Sequence, residues 1–584
     1  MLPRRFGKSL LLSTLMNYYD VNRADDFEKL FGDLSIGQKP TPLHNTYLVM
    51  RWDFSKIRAA GSIEQIENAL NDHINDRIER YNIFYQDHLQ MPIRINSANA
   101  LSSLESLMAV TDVSNHKLYL FIDEYDNFAN EVMMGQHGHN QQRYIELVKG
   151  EGIFKTFFKN VKSAGSGDGL DRVFMTGVSP VVLNDVTSGA NTFEDVTWRP
   201  NFNALCGFHG DEVQAMLEKV AEHCGFSDIE VQDILEQMRR FYNGSRFVTR
   251  APGRNPVEDL QNIPKIYNPT LVFYLLKELQ DSCEYPNEML DGNLEPDSHK
   301  LTYISHRKEG QQLMLDALDE ETAISVYTLQ KKFGVKELIN IHYQRESLAV
   351  LLCYLGALTV GGRTPTGQIQ LEIPNLVMRR LYADRILEML TVDDLSKRNE
   401  AREAASQFFI NGDIEPLCNF VESYLLSVYD NRDYREFNEL TLKTLFMPML
   451  HFNSLYIMDS EPEIMRRYGD LLMLLRPGMY YDSVCEILIE FKYLPLKKMT
   501  EKVMTKQKKE SKKWHRLTEE DIKAKSTDEL LRMDVVEGEF DDARTQLRDY
   551  RQKLNQKYSN GLRLQTYTVV GIGFQRVLWE EVSS

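Results

Sequence analysis

The run KLYLFIDEYD, residues 117–126, constrains the fold more than any other stretch of this chain. It is apolar from Leu118 to Ile122 without alternation, then turns acidic at Asp123, Glu124 and Asp126. A strand that is apolar on both sides must be covered on both sides, which is the situation in a parallel sheet flanked by helices. TYLVMRWDF (46–54) and RVFMTGVSPVV (172–182) read as further strands of the same kind. Residues 1–205 therefore alternate between strands and helices, and the expected fold is an α/β domain on a parallel sheet.

The segment PRRFGKSLL places Gly7, Lys8 and Ser9 at the start of an apolar-rich helix, Leu10 to Tyr19. Backbone N–H groups and the helix dipole at such a start hold phosphates. Lys8 would reach the β- and γ-phosphates, and the Ser9 hydroxyl would ligate magnesium. Gly-Lys-Ser alone is a common tripeptide whose ordinary reading is an exposed basic helix start. Five residues before Gly7 stands Leu2, where the full phosphate-loop pattern has glycine. The acidic strand end supplies the missing context. Asp123 is placed to hold magnesium through water and Glu124 to polarise an attacking water. Asp126 either joins them or caps the next helix. The third strand ends near Thr176 and Ser179, where a polar sensor of the γ-phosphate would sit, although both also serve as ordinary turn residues.

Beyond this region the pattern changes twice. Residues 206–395 are mainly helical, with a Pro/Gly/Arg-rich break at 248–259 and a strand-rich stretch at 356–375 that fits a winged-helix unit. Residues 400–584 read as helices at 401–427 and 432–450, strands at 470–476 and 484–493, a helix at 541–557 and a strand at 566–574. Between the strand at 484–493 and the helix at 541–557 lies the charged stretch 495–540. Its lysine-dense part, 497–515, is either a solvated loop or a basic arm that holds phosphates, with Trp514 stacking on a base.

Within the strand CEILIEFKYL, Glu490 and Lys492 are two apart and leave the same side. Asp470, in YGDLLMLL on the neighbouring strand, completes a group of two carboxylates and one ammonium. That group suits metal-dependent phosphodiester hydrolysis: Asp470 and Glu490 bind magnesium, while Lys492 orients the nucleophile and offsets developing charge. A salt-bridged surface strand is the competing reading. Glu490 stands inside the apolar run ILIEFKYL, where an unpartnered carboxylate is costly.

PRRFGKS, WDFS (52–55), LFIDEYD and VFMTGVSPV, followed by CGFHGDEV (206–213), FYNGSRF (241–247), IYNPTLV (266–272), YLGALTV (354–360) and IPNLVMRR (373–380), form an ordered set. Together they resemble the AAA-ATPase-like family, whose phosphate loop reads roughly R-P-R-R-F-G-K-S and which commonly carries a C-terminal PD-(D/E)XK nuclease domain. The resemblance implies ATP and magnesium as cofactors, with Arg5, Gly7, Lys8, Ser9, Asp123 and Thr176 around the nucleotide and Glu124 catalytic. It also implies a restriction-endonuclease-like α/β domain at 400–584, with 495–540 as a basic insertion, in which an upstream helical glutamate completes the metal site. Glu436 matches that place best and Glu439 next. Leu2 stands where the family has arginine, and FYNGSRF is a loose form of its Y-D-G-Y block. Both departures bear on nucleotide affinity more than on fold. Arg172 and Arg199 are the candidates for an arginine finger.

The expected function is ATP-dependent or ATP-gated processing of nucleic acid, DNA in preference to RNA, with magnesium-dependent cleavage. The alternatives are a nucleotide-switched effector whose nuclease fold only binds nucleic acid, or a decayed mobile-element or defence gene. A net charge of −17 requires any nucleic-acid contact to be a local basic patch. The six cysteines are scattered without a CxxC pair, which disfavours a zinc site or disulfides and fits a reducing, cytoplasmic or nuclear compartment. No stretch approaches a membrane span. Only Met1 and Leu2 precede Pro3, too few for the strand that delivers a phosphate loop, so the expectation is an upstream coding segment and weak nucleotide binding without it.

Overall fold

Leu118–Asp123 forms the middle strand of a parallel sheet, as its unbroken apolar run requires. The computed structural model describes residues 1–58, 61–127, 153–164, 169–179, 193–249, 260, 262–286, 288–290, 301, 304–305, 308–318, 323–329, 345–391, 394–428, 439–451, 455–459, 470–476, 484–503, 513–558 and 561–582. The chain divides into two units, each assembled from separate segments. Unit 1 takes Met1–Ala215, Asn243–Phe273 and Ile324–Pro374, and unit 2 takes Met216–Tyr242, Tyr274–Ala323 and Asn375–Ser584.

In unit 1, β1 (Leu48–Asp53), β2 (Leu118–Asp123) and β3 (Leu170–Met175) lie in that order with parallel pairing. Every residue of β2 is buried. Helix α1 (Lys8–Tyr19) covers one side, where Leu12 packs with Tyr47, Val49, Tyr119 and Phe121. On the other side Trp52 meets Phe157 of the helix Ile153–Ala164. β3 stops at Met175, short of the expected 172–182. The chain then turns at Gly177, where a Cβ would come within 2.4 Å of the Tyr125 ring; residues 180–182 lie outside the described residues. A small antiparallel sheet takes β4 (Ile324–Val326), β5 (Thr359–Arg363) and β6 (Ile369–Glu372) in the order β4-β6-β5; β5 and β6 fall in the strand-rich stretch anticipated at 356–375, and β4 lies outside it.

Unit 2 holds a five-stranded sheet of β7 (Tyr456–Asp459), β8 (Asp470–Leu475), β9 (Glu486–Leu494), β12 (Leu564–Ile572) and β13 (Arg576–Glu581), in the order β13-β12-β9-β8-β7. Only the β9–β12 pair is parallel. From one side, helix α2 (Glu439–Leu450) sets Phe446 against Phe491. From the other, α3 (Asp534–Lys557) buries Phe540, Leu547 and Leu554 over Leu494, Val570, Leu472 and Leu488.

Several expectations for this region need correction. The helix anticipated at 401–427 breaks at Gly412, whose φ of 72° ends Leu395–Asn411, and restarts at Glu415. α3 begins earlier than 541. The stretch 495–540 contains the hairpin β10 (Thr500–Val503) and β11 (Lys513–Arg516), then the helices Glu519–Ala524 and Thr527–Leu531, each opened by a capping box. The side chains of 501–515, Trp514 among them, lie outside the described residues. The inference against disulfides also fails: two helix ends bring Cys224 and Cys283 to a Cα–Cα distance of 5.4 Å, and their sulfurs are bonded. A separation of 59 residues hides such a pair from any spacing rule. No described helix is long and apolar enough to cross a membrane.

Candidate functional site

The phosphate-loop candidate in unit 1 is built on two backbone turns. Gly7 caps α1 at a φ of 85°, a conformation that costs glycine little. Arg5 and Glu124 occupy the same left-handed region at 68° and 49°, where a side chain is normally disfavoured. Such positions cluster at functional sites because the surroundings must hold them there.

Parallel pairing sets the carboxylates in place. β1 and β2 align Asp53 with Asp123. The ladder continues past the end of β3, where Thr176 N donates to Ile122 O at 2.8 Å and brings Thr176 beside Asp123. Asp123 is 1% exposed. Its Oδ1 accepts from Thr176 Oγ1 at 2.6 Å, and its Oδ2 accepts from Ser9 Oγ at 2.9 Å and from Arg51 Nη2 at 2.6 Å. The start of α1 and the acidic strand end, 114 residues apart, thus form one site.

Lys8 is buried beside them, and its Nζ donates to the carbonyls of Leu2 at 2.9 Å and Pro3 at 2.7 Å. Burial lowers the Lys8 pKa, while Asp126, Glu124 and Asp123 oppose the shift. Glu124 is half-buried, and burial raises its carboxyl above the ordinary value against the pull of Arg4 and Lys8. Asp126 binds the following turn, accepting from Val178 N at 3.0 Å, Ser179 N at 2.7 Å and Ser179 Oγ at 2.9 Å. Ser179 is therefore engaged by Asp126, whereas Thr176 is engaged by Asp123. The two arginine-finger candidates are engaged elsewhere: Arg172 donates to Tyr47 Oη at 3.0 Å, and Arg199 pairs with Glu194.

The second candidate lies in unit 2. β8 and β9 align Asp470 with Glu490, and β12 aligns Thr568 with Glu490 from the other side. The Asp470 side chain lies outside the described atoms. Glu490 is fully buried, and its Oε1 is 2.6 Å from Lys492 Nζ. Lys492 Nζ also donates to Gln546 Oε1 of α3 at 3.1 Å. Glu490 Oε2 and Thr568 Oγ1 are buried without a hydrogen-bond partner among the described residues. Burial pushes the Glu490 carboxyl up to about 7, against the opposing charge of Lys492. Glu439, at the start of α2, is raised by burial with Lys492 the main opposing charge. Lys443, one turn further, is buried. Glu436 lies outside the described residues. Among the described residues no three His, Cys, Asp or Glu side chains cluster as metal ligands.

Sequence reasoning missed Arg51, Lys443 and Thr568. Arg51 is the only charge in LVMRW, a stray cation within an apolar strand, and that irregularity was the available signal. A threonine in TYTVVGIGF carries no such mark.

Residues 1–187 match a family model described as Predicted AAA-ATPase, and the match takes in the phosphate-loop candidate and all three strands of the parallel sheet. No curated protein and no solved structure matches the chain.

Proposed function

We propose that this chain binds and hydrolyses ATP through Lys8, Ser9, Asp123 and Glu124, and that it processes nucleic acid through Asp470, Glu490 and Lys492. The observation that carries the first part is the 2.9 Å hydrogen bond from Ser9 to Asp123, which joins a helix start with an acidic strand end. A hydroxyl and a carboxylate are hard oxygen donors of the kind magnesium takes, and Glu490 Oε2 is a similar donor left without a partner. Ser9 and Asp123, or Asp470 and Glu490, would hold the magnesium ion, which would supply positive charge to phosphate oxygens.

The protein groups divide the remaining work. The N–H groups opening α1 receive the phosphates. Lys8 exchanges two backbone carbonyls for phosphate oxygens, and Thr176 holds Asp123 in orientation. Glu124, whose proton affinity is raised by burial, takes the proton of the attacking water. In unit 2, Lys492 pairs with Glu490 and offsets charge on the phosphodiester.

A nucleotide-controlled protein whose nuclease-like fold binds nucleic acid without cutting it is the second reading. The complete burial of Glu490 favours it. One set of measurements tests both: binding of a fluorescent ATP analogue by wild type and Lys8→Ala, and cleavage of single- and double-stranded DNA and RNA, with and without ATP, by wild type and Lys492→Ala. Lys8→Ala is expected to weaken ATP binding about 10- to 100-fold through the loss of charge-assisted hydrogen bonds. Equal binding by both proteins removes the ATPase reading. Cleavage that survives Lys492→Ala removes the nuclease assignment, and binding without cleavage establishes the second reading.

A further inference from the structure

Asp123 is almost fully buried, and a buried carboxylate needs a counter-charge as well as hydrogen bonds. Ser9 and Thr176 provide neutral donors. Lys8, the nearest lysine in the loop, spends its ammonium on the carbonyls of Leu2 and Pro3. The cation in contact with Asp123 is Arg51, at 2.6 Å from the same Oδ2 that accepts from Ser9. Arg51 Nε is buried with no hydrogen-bond partner among the described residues, so the guanidinium is only partly engaged.

A second carboxylate lies within reach. Arg51 and Asp53 are two apart on β1 and so leave the same side of the strand. Arg51 Nη2 is 3.9 Å from Asp53 Oδ2. Asp53 is less buried than Asp123, with its side chain 14% exposed against 2%. A small rotation of the arginine would move its contact from the inner carboxylate to the outer one.

From this we propose that Arg51 is a built-in counter-cation of the nucleotide site, which competes with a divalent cation for Asp123 and yields by moving to Asp53. The proposal rests on the ATP-binding reading above and adds a regulation to it. A guanidinium and a divalent cation cannot both sit in contact with one carboxylate oxygen without strong repulsion. The arginine therefore keeps Asp123 neutralised when the cation is scarce. It also sets the concentration at which Mg2+ takes over, so nucleotide alone does not complete the site.

The test is a Mg2+ titration of ATP-analogue binding by the full chain, comparing wild type, Arg51→Gln and Arg51→Lys. Arg51→Gln removes the competitor, and the half-saturating Mg2+ concentration is expected to fall about tenfold, the size of one partly buried ion pair. Binding in EDTA should not improve. Arg51→Lys keeps a cation and should lie between the two, which decides the matter if the glutamine variant fails to fold. An unchanged or raised Mg2+ midpoint in both variants, with ATP binding intact, overturns the role of Arg51 and leaves the ATP-binding reading standing. If wild type binds no nucleotide at any Mg2+ concentration, both fall together.

Discussion

Asp123 and Glu490 are both buried carboxylates on strands that are otherwise apolar, and the chain treats them in opposite ways. Asp123 has three donors on its two oxygens: Ser9, Thr176 and Arg51. Glu490 has the ammonium of Lys492 on one oxygen and nothing described on the other. The first arrangement occupies both oxygens with donors; the second leaves a carboxyl whose proton affinity is pushed up to about 7. Burial alone therefore does not define a site. What matters is how many of the carboxylate's lone pairs the fold itself satisfies.

The sharpest way to break this contrast is to remove Lys492, the partner of Glu490 among the described residues. Lys492→Met should cost unit 2 about 3–5 kcal/mol at pH 8, where Glu490 must either stay ionised without its partner or take a proton from a solution that holds few. The cost should shrink at pH 5, where Glu490 can take a proton, and Glu490→Gln should offset most of it. Amide hydrogen exchange along β9 reads this locally. An equal loss at both pH values would mean that charge is not the issue and that packing is.

A pH series on the wild-type chain comes next in size. The Glu490 carboxyl holds its proton more tightly in the folded state, with a value raised from 4.5 to about 7. Its contribution to stability is thus fully present below about pH 4.5 and is lost as pH rises through about 7, amounting to about 3 kcal/mol at most. Glu490→Gln should flatten this fall between pH 5 and 8. A slope that survives the substitution must come from other groups.

Two threonines sharpen the comparison on a smaller scale. Thr176→Val takes a hydrogen bond from the buried Asp123 and should cost about 2 kcal/mol, as exchange of the β2 amides would record. Thr568→Val removes a hydroxyl that has no described partner, and should be neutral or stabilise β12 by less than about 1 kcal/mol. If the two substitutions cost the same, the partner count does not separate the sites.

The features legible in the sequence are those where one physical demand dominates a contiguous stretch. Leu118–Ile122 had to be buried on both sides, and it is the centre of the sheet. Gly7, Lys8 and Ser9 open a helix as their residue types suggest. Glu490 and Lys492 share one side of β9 and meet in an ion pair. Relations across the chain were hidden. The role of Arg51 depends on Asp123, 72 residues away. Gly412 is a different case: Asn411-Gly412, with Pro416 beyond, was a local stop signal that the apolar spacing on either side outweighed, and its φ of 72° marks the break. β13 follows Gly573 almost at once and ends in two glutamates, which masks a strand completed by its pairing with β12.

The interleaving of the two units carries a consequence for the chain as it is made. Unit 1 begins at Met1 but takes its last segment from Ile324–Pro374, while unit 2 begins at Met216 and ends at Ser584. At a synthesis rate of roughly 5–20 residues per second, the interval between Ala215 and Pro374 lasts on the order of 10–30 s. During that time the parallel sheet exists without the strands β4, β5 and β6, and the first helices of unit 2 exist without their sheet. Neither unit can be finished before the other has begun. A ribosome pausing in this window would present unfinished apolar surfaces from both units to chaperones and proteases.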